Sequence, residues 1–326
     1  MIENKKIQFK NCLACFQKLN SKEVNYHPKC LAKFWQDDTP VLQLDYALSE
    51  IEELAKENVE QRIIVPGVQP KLSLGFTDQQ EHKKLTIVGA LDRRYILKPP
   101  YVQYPQMPEL EALSMLMTQS CGIDTVPFLL IPLKDGELAY LTRRIDRDDK
   151  ENKYAMEDAC QFTERLTEHK YRGSYEQIAN GIFKYTANRL LEVVRFYEQV
   201  IVSFLIGNND MHLKNFSLIA LKQGNYRLAP AYDMIAAQLL LPDDLEELAL
   251  NLNGKKRKLK LDDFNTAMRS AGIPEKAIEN LWGRIQKGLS DWPVLIDCSF
   301  LSQKRKENFK NLIKLKVAQV KLTIRI

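Results

Sequence analysis

The chain has 326 residues, 45% of them apolar and 27% charged, and a formal net charge of +5. That length supports a sizeable core and two lobes, and the balance is the ordinary one of a soluble globular protein. The mild charge suits an anionic ligand such as a nucleotide but is no nucleic-acid footprint, and no apolar run nears the roughly 20 residues that a membrane helix needs.

In chain order, the opening Met1-Ile2-Glu3-Asn4-Lys5-Lys6 lacks the apolar stretch of a signal peptide, so a cytoplasmic protein without membrane contact is expected. Six cysteines in a reducing compartment point to free thiols or a metal rather than disulfides. Cys12-x2-Cys15 and His27-x2-Cys30 stand 11 residues apart. Two close pairs of such ligands can close a tetrahedral zinc site and hold a segment that lacks its own core. Scattered loop thiols are the bland alternative. With no activating base and no open position suggested, any zinc here is structural, and residues 1–40 form a Cys/His segment.

Apolar Leu48, Ile51, Leu54 and Ala55 predict a helix within 45–60. Ile63–Leu74 reads as strand, tight turn, strand, because β-branched residues flank Pro66 and Gly67. Leu85–Val88, Tyr95–Leu97, Thr125–Pro132 and Leu138–Thr142 are further strands, and Glu109–Ser120 a helix. Residues 41–145 thus form a strand-rich N-lobe. From 146 to 326 the chain turns helical: Ala155–Leu166, Tyr175–Tyr185, Leu190–Ile206 and most of the C-terminal third, with a hairpin about Gly224-Asn225. The layout is α+β, as in a two-lobed protein-kinase-like fold with a nucleotide in its cleft, though other α+β proteins share it.

Gly207-Asn208-Asn209-Asp210-Met211-His212-Leu213-Lys214-Asn215 lies between an apolar helix and the hairpin, and Asp233 follows 18 residues after Asn215. Phosphoryl transfer needs an acceptor for the substrate hydroxyl proton and hard oxygen ligands for Mg²⁺. Asp-x4-Asn has the spacing of the protein-kinase catalytic loop. Asp210 is therefore the candidate base, with Asn215 and Asp233 on the metal and His212 in the nucleotide-contact set. A polar turn between elements is the competing reading, since Asn and Asp are favoured there. Lys98, ending a strand, suits the phosphates of ATP, and Glu111 could hold its ammonium. Val65, Pro66, Gly67, Val68 and Lys71 make a candidate phosphate loop that rests mainly on its position.

Four segments resemble the HipA-type toxin kinases of bacterial toxin–antitoxin modules: Gly67–Leu72, Tyr95–Pro99, Gly207–Asn215 and Ala229–Asp233. A fifth, Leu252–Arg257, is similar to that family's C-terminal lobe. The matches keep the family's order across residues 64–257, and they look closest to the short HipT branch of three-component HipBST systems. The resemblance implies a HipA-like fold and an ATP- and Mg-dependent serine/threonine protein kinase that phosphorylates an aminoacyl-tRNA synthetase, stopping translation and growth. It implies a HipB-like DNA-binding antitoxin and a small HipS-like protein as partners, and no direct contact with nucleic acid. By position, Asp210 is similar to the family's catalytic Asp, Asn215 and Asp233 to its metal ligands, Lys98 to its ATP lysine, and Val65–Val68 to its glycine-rich loop. One departure stands out. Ile64 and Pro66 occupy the places of loop serines, so self-inactivation by phosphorylation is not expected there; Ser73 and Thr77 are the alternatives.

Three other readings compete. A small-molecule or lipid kinase would use the same Asp–Asn–Asp set. A degenerate nucleotide-binding module would not need the base. The Lys255–Lys258 run prompts a nucleic-acid binder, but lysine-rich faces are more often simply solvated.

Overall fold

The computed structural model describes residues 9–36, 40–60, 71–79, 82–87, 94–148, 152–221 and 225–325. The expected turn at Pro66-Gly67 lies outside the described residues. The chain divides into two compact units. The first holds Met1–Ala112, Val126–Arg147 and Cys298–Phe300; the second holds Leu113–Thr125, Asp148–Asp297 and Leu301–Ile326.

In the first unit β1 (Leu72–Gln79), β2 (His82–Ile87), β3 (Tyr95–Lys98), β4 (Phe128–Pro132) and β5 (Leu138–Arg143) form an antiparallel sheet ordered β2-β1-β3-β5-β4. All five residues of β4 are buried, as expected of a short continuous apolar run. This strand starts later than its apolar pattern suggests. Pro127 brings no N–H to the ladder, and Thr125 instead bridges to Ala231. Helix α1 (Pro28–Trp35) opens on proline at its first position, where the missing N–H costs nothing. It delivers Trp35 and Phe34 against Tyr95, with ring centroids 5.2 and 5.9 Å away. Helix α2 (Leu48–Glu60) buries Ile51. Helix α3 (Met107–Ser120) starts in the first unit and ends in the second.

In the second unit β6 (Met156–Asp158), β7 (Ser217–Leu221) and β8 (Asn225–Leu228) form a sheet in that order, the last two pairing as the expected hairpin. Around it lie α4 (Ala159–Phe162), α5 (Tyr175–Tyr185), α6 (Arg189–Ile206), α7 (Leu261–Ser270), α8 (Glu275–Gly288), α9 (Trp292–Cys298) and α10 (Gln303–Gln319). The continuous helix expected over Ala155–Leu166 does not form. Met156–Asp158 pair instead with Ser217–Ile219, and a reciprocal capping box between Asp158 and Gln161 starts the helix only at Ala159. Glu164, at φ +56°, follows that single turn and takes the chain off the helical path.

Helix α6 is the centre of this unit. From Val193 to Ile206 only Val194 and Arg195 are not buried, and Phe196 packs edge-on against Phe216 at 4.9 Å. Among the described residues no helix is long and apolar enough to cross a membrane.

Candidate functional site

Helix α6 ends at Gly207, which adopts left-handed φ +74° and ψ +35°. An added Cβ there would lie 2.6 Å from Leu312 Cδ2 and 3.0 Å from Gln238 Oε1, so glycine is required twice over. The next residues then turn sharply into the loop that carries Asp210. Asn208 is fully buried, and its side chain works in both directions. Its Oδ1 accepts the Asp210 N–H at 3.2 Å, and its Nδ2 donates to the Asp233 carbonyl at 3.3 Å. One amide therefore ties together the loops bearing Asp210 and Asp233. Asn209, also buried, donates to Asp244 Oδ2 at 2.8 Å.

Asn215 Nδ2 donates to the Asp210 carbonyl at 3.0 Å, which leaves its amide oxygen outside that bond. Asp233 is half-buried at φ +55°, a conformation that L residues rarely adopt. Beyond it, Ala236 N–H donates to Ser114 Oγ at 3.2 Å, and before it Tyr232 hydroxyl donates to the Lys214 carbonyl at 3.0 Å. Lys214 itself pairs with Asp158 at 2.6 Å.

Tyr171 hydroxyl donates to Asp210 Oδ1 at 2.5 Å, and burial together with the carboxylate pushes its pKa well up. Its ring meets the His212 imidazole edge-on at 5.0 Å. Burial holds His212 below the usual histidine range, so the ring is neutral at pH 7, and its buried Nδ1 finds no partner among the described residues. A carboxylate, an amide oxygen and an unsatisfied imidazole nitrogen form a donor set that fits Mg²⁺ and a phosphate.

In the first unit Lys98 is the last residue of β3 and Glu111 stands on α3. Their Nζ–Oε1 distance is 2.5 Å, with both side chains almost wholly buried. Lys98 also lies over the Tyr140 ring, 5.3 Å from its centroid, because the two residues are register partners across β3 and β5. Lys71, just before β1, is exposed. Val65, Pro66, Gly67 and Val68 lie outside the described residues.

The same unit gathers Cys12, Cys15, His27 and Cys30 so that their ligand atoms all lie within 4.8 Å of one another. Sulfur hydrogen bonds from Cys15 and Cys30 hold the Cys12 thiol far below the ordinary thiol range.

The profile of the HipA-like C-terminal domain family matches residues 63–292. The chain belongs to that family. A putative kinase of Haemophilus influenzae is 30% identical over 192 residues, 56% of this chain and 54% of that protein. Putative kinase Y4dM of Sinorhizobium fredii is 31% identical over 233 residues, 67% of this chain and 56% of that protein. The HipA-like chain thus spans about half the length of the curated relatives it matches. Among solved structures, it is similar to the Shewanella oneidensis MR-1 complex of HipA, HipB and operator DNA at TM-score 0.65 and 17% identity, covering 86% of this chain and 72% of that one. It is also similar to the Helicobacter pylori proinflammatory kinase CtkA at TM-score 0.52 and 15% identity, covering 76% and 93%. The fold is the expected α+β, kinase-like one.

Residue reading missed Asn208, Tyr171 and Ser114. A signal existed for Asn208: two consecutive amides directly after an apolar helix are candidates for burial. For Tyr171 and Ser114 there was none, since each meets its partner 39 and 122 residues away.

Proposed function

We propose that this HipA-like chain is an ATP- and Mg-dependent serine/threonine protein kinase that acts as the toxin of a toxin–antitoxin pair. Asp210 accepts the proton of the substrate hydroxyl, and Lys98, oriented by Glu111, binds phosphate oxygens. Asn215 and Asp233 would hold Mg²⁺, which supplies charge neutralisation on the triphosphate when bound. Neutral His212 offers Nδ1 to a phosphate oxygen.

The observation that carries this reading is the double tether of Asn208. It joins the loops of Asp210 and Asp233 through one buried amide, Asn215 bonds the Asp210 carbonyl beside them, and a tyrosine hydroxyl donates to Asp210 as a substrate hydroxyl would. An aminoacyl-tRNA synthetase as substrate, a HipS-like protein and the HipT branch rest on the sequence motifs. A HipB-like antitoxin has the added support of the Shewanella neighbour, which was solved with HipB and operator DNA.

Labelled ATP added to a bacterial lysate tests the proposal. The wild-type chain should label one dominant protein, identified by mass spectrometry as a synthetase. Asp210→Asn should lower labelling about 10³-fold while still binding Mg-ATP. Equal labelling by Asp210→Asn would remove Asp210 from its role, and labelling confined to small metabolites would move the reading to a small-molecule kinase.

A further inference from the structure

The Cys/His segment lies outside the stretch matched by the family profile, and no step of the proposed phosphotransfer uses it. We propose that Cys12, Cys15, His27 and Cys30 bind one structural Zn²⁺, and that this ion fastens the segment over the open edge of the five-stranded sheet.

The ligand geometry comes first. Asn11 and Lys18 bridge as the mouth of a small hairpin, Cys12 N–H donates to the Gln17 carbonyl at 2.8 Å, and Phe16 takes φ +61° directly after Cys15. That backbone turns both sulfurs of the first pair to the same side. The second pair sits at the start of α1, where His27 is the N-cap and Cys30 the third helical residue. His27 Nδ1 lies 3.3 Å from Cys15 Sγ and 3.9 Å from Cys30 Sγ, separations that suit ligands shared by one tetrahedral ion. The other ring nitrogen, Nε2, is 3.2 Å from the Lys18 carbonyl. A proton on Nε2 is held by that carbonyl, leaving the Nδ1 lone pair for a metal, the usual outer support of a ligating histidine. Three thiolates and one imidazole fill a zinc tetrahedron with no position left for water, so the site is structural.

The second half of the proposal follows from what flanks the ligands. β4 is an edge strand, and at Leu130 both backbone groups off the β5 ladder need partners. Leu130 N–H donates to the Leu13 carbonyl at 3.0 Å, and Tyr26 hydroxyl donates to the Leu130 carbonyl at 2.8 Å. Leu13 directly follows the ligand Cys12, and Tyr26 directly precedes the ligand His27. Leu13 N–H donates in turn to the carbonyl of Asn25, the residue before Tyr26, at 2.8 Å. An ion that locks Cys12 to His27 therefore locks the two groups that cover the edge at Leu130, while Leu44 N–H covers it at the Pro132 carbonyl. Without it, a hairpin of a few residues has little core of its own to hold them.

Two measurements on the full chain test this. Elemental analysis of protein purified without added metal should give about one zinc per chain, and Cys15→Ser or Cys30→Ser should lose it while Cys298→Ser keeps it. Hydrogen exchange of peptides spanning 128–132 should then quicken by about tenfold or more when the metal is stripped by a thiol reagent and chelator, and slow again when zinc alone is returned. Less than about 0.1 zinc per chain, iron in its place, or a Cys12–Cys15 disulfide without metal would overturn the site. Bound zinc whose removal leaves exchange at 128–132 unchanged would overturn the edge-closing role. Should the serine variants fail to fold, the stripping and return of metal on the wild-type chain decide the matter.

Discussion

At the scale of single residues, the acid loops depend on one side chain that carries no charge. Asn208, itself fully buried, satisfies the Asp210 N–H and the Asp233 carbonyl with its two ends. Asn208→Ala should cost about 2 kcal/mol of stability by orphaning both groups. It should lower kcat of phosphotransfer about 10²-fold, since the acids would lose their common support. Steady-state kinetics beside a melting curve separates the two effects: a protein still folded at the assay temperature with unchanged kcat would show that the tether does not position the acids. Asp210 and Asn215 were legible as candidates in the sequence because Asp-x4-Asn is a local spacing. The tether was not, because its second partner lies 25 residues away on another loop.

At the scale of elements, the apolar helix α6 and its glycine stop set where the loop begins. Gly207→Ala adds a left-handed penalty of about 1 kcal/mol and drives a methyl group into Leu312 of α10, for a total loss near ~2 kcal/mol. Combining it with Leu312→Ala should be less than additive, because the truncated Leu312 no longer meets the new methyl group. Denaturant melts of both single variants and the double variant check this, and simple additivity would mean that only the backbone penalty operates. Helix α5 matched its expected Tyr175–Tyr185 span because Ser174 and Gln177 form a capping box that sequence spacing announces. The Ala155–Leu166 expectation failed for the opposite reason: strand pairing with Ser217–Ile219 outweighed local helical preference, and no window around residue 155 contains that partner.

At the scale of the whole molecule, the second unit is tied together by a half-buried ion pair between Glu247 and α10. Glu247 accepts from Lys316 Nζ of α10 at 2.9 Å, from Gln319 Nε2 at 2.9 Å and from Leu259 N–H at 2.9 Å. Burial alone would raise this carboxyl; the Leu259, Gln319 and Lys316 donors outweigh it and hold it below its ordinary 4.5. A depressed carboxyl stabilises the fold fully above its unfolded value and loses that contribution as pH falls through the folded one. Glu247→Gln should therefore lower unfolding free energy by about 3 kcal/mol at pH 7, because Lys316 would remain buried without its charge partner. That gap to wild type should shrink as pH drops below 4.5, and thermal melts from pH 7 to pH 3 would read it. A gap that stays constant with pH would mean that Glu247 acts by packing alone.

By itself the sequence determined what local spacing can encode: the Asp-x4-Asn pair, the two Cys/His pairs, the capped helix at Tyr175–Tyr185 and the hairpin after Asn215. These depend on neighbours a few residues apart, where chain geometry leaves little choice. Only tertiary structure decided which buried amide joins the two acid loops, which tyrosine meets Asp210, and which backbone groups of Leu130 the N-terminal segment covers. Those partners lie from 25 to more than 100 residues apart. Their pairing is set by burial and by the cost of leaving a polar group unsatisfied, quantities that exist only once the chain has packed.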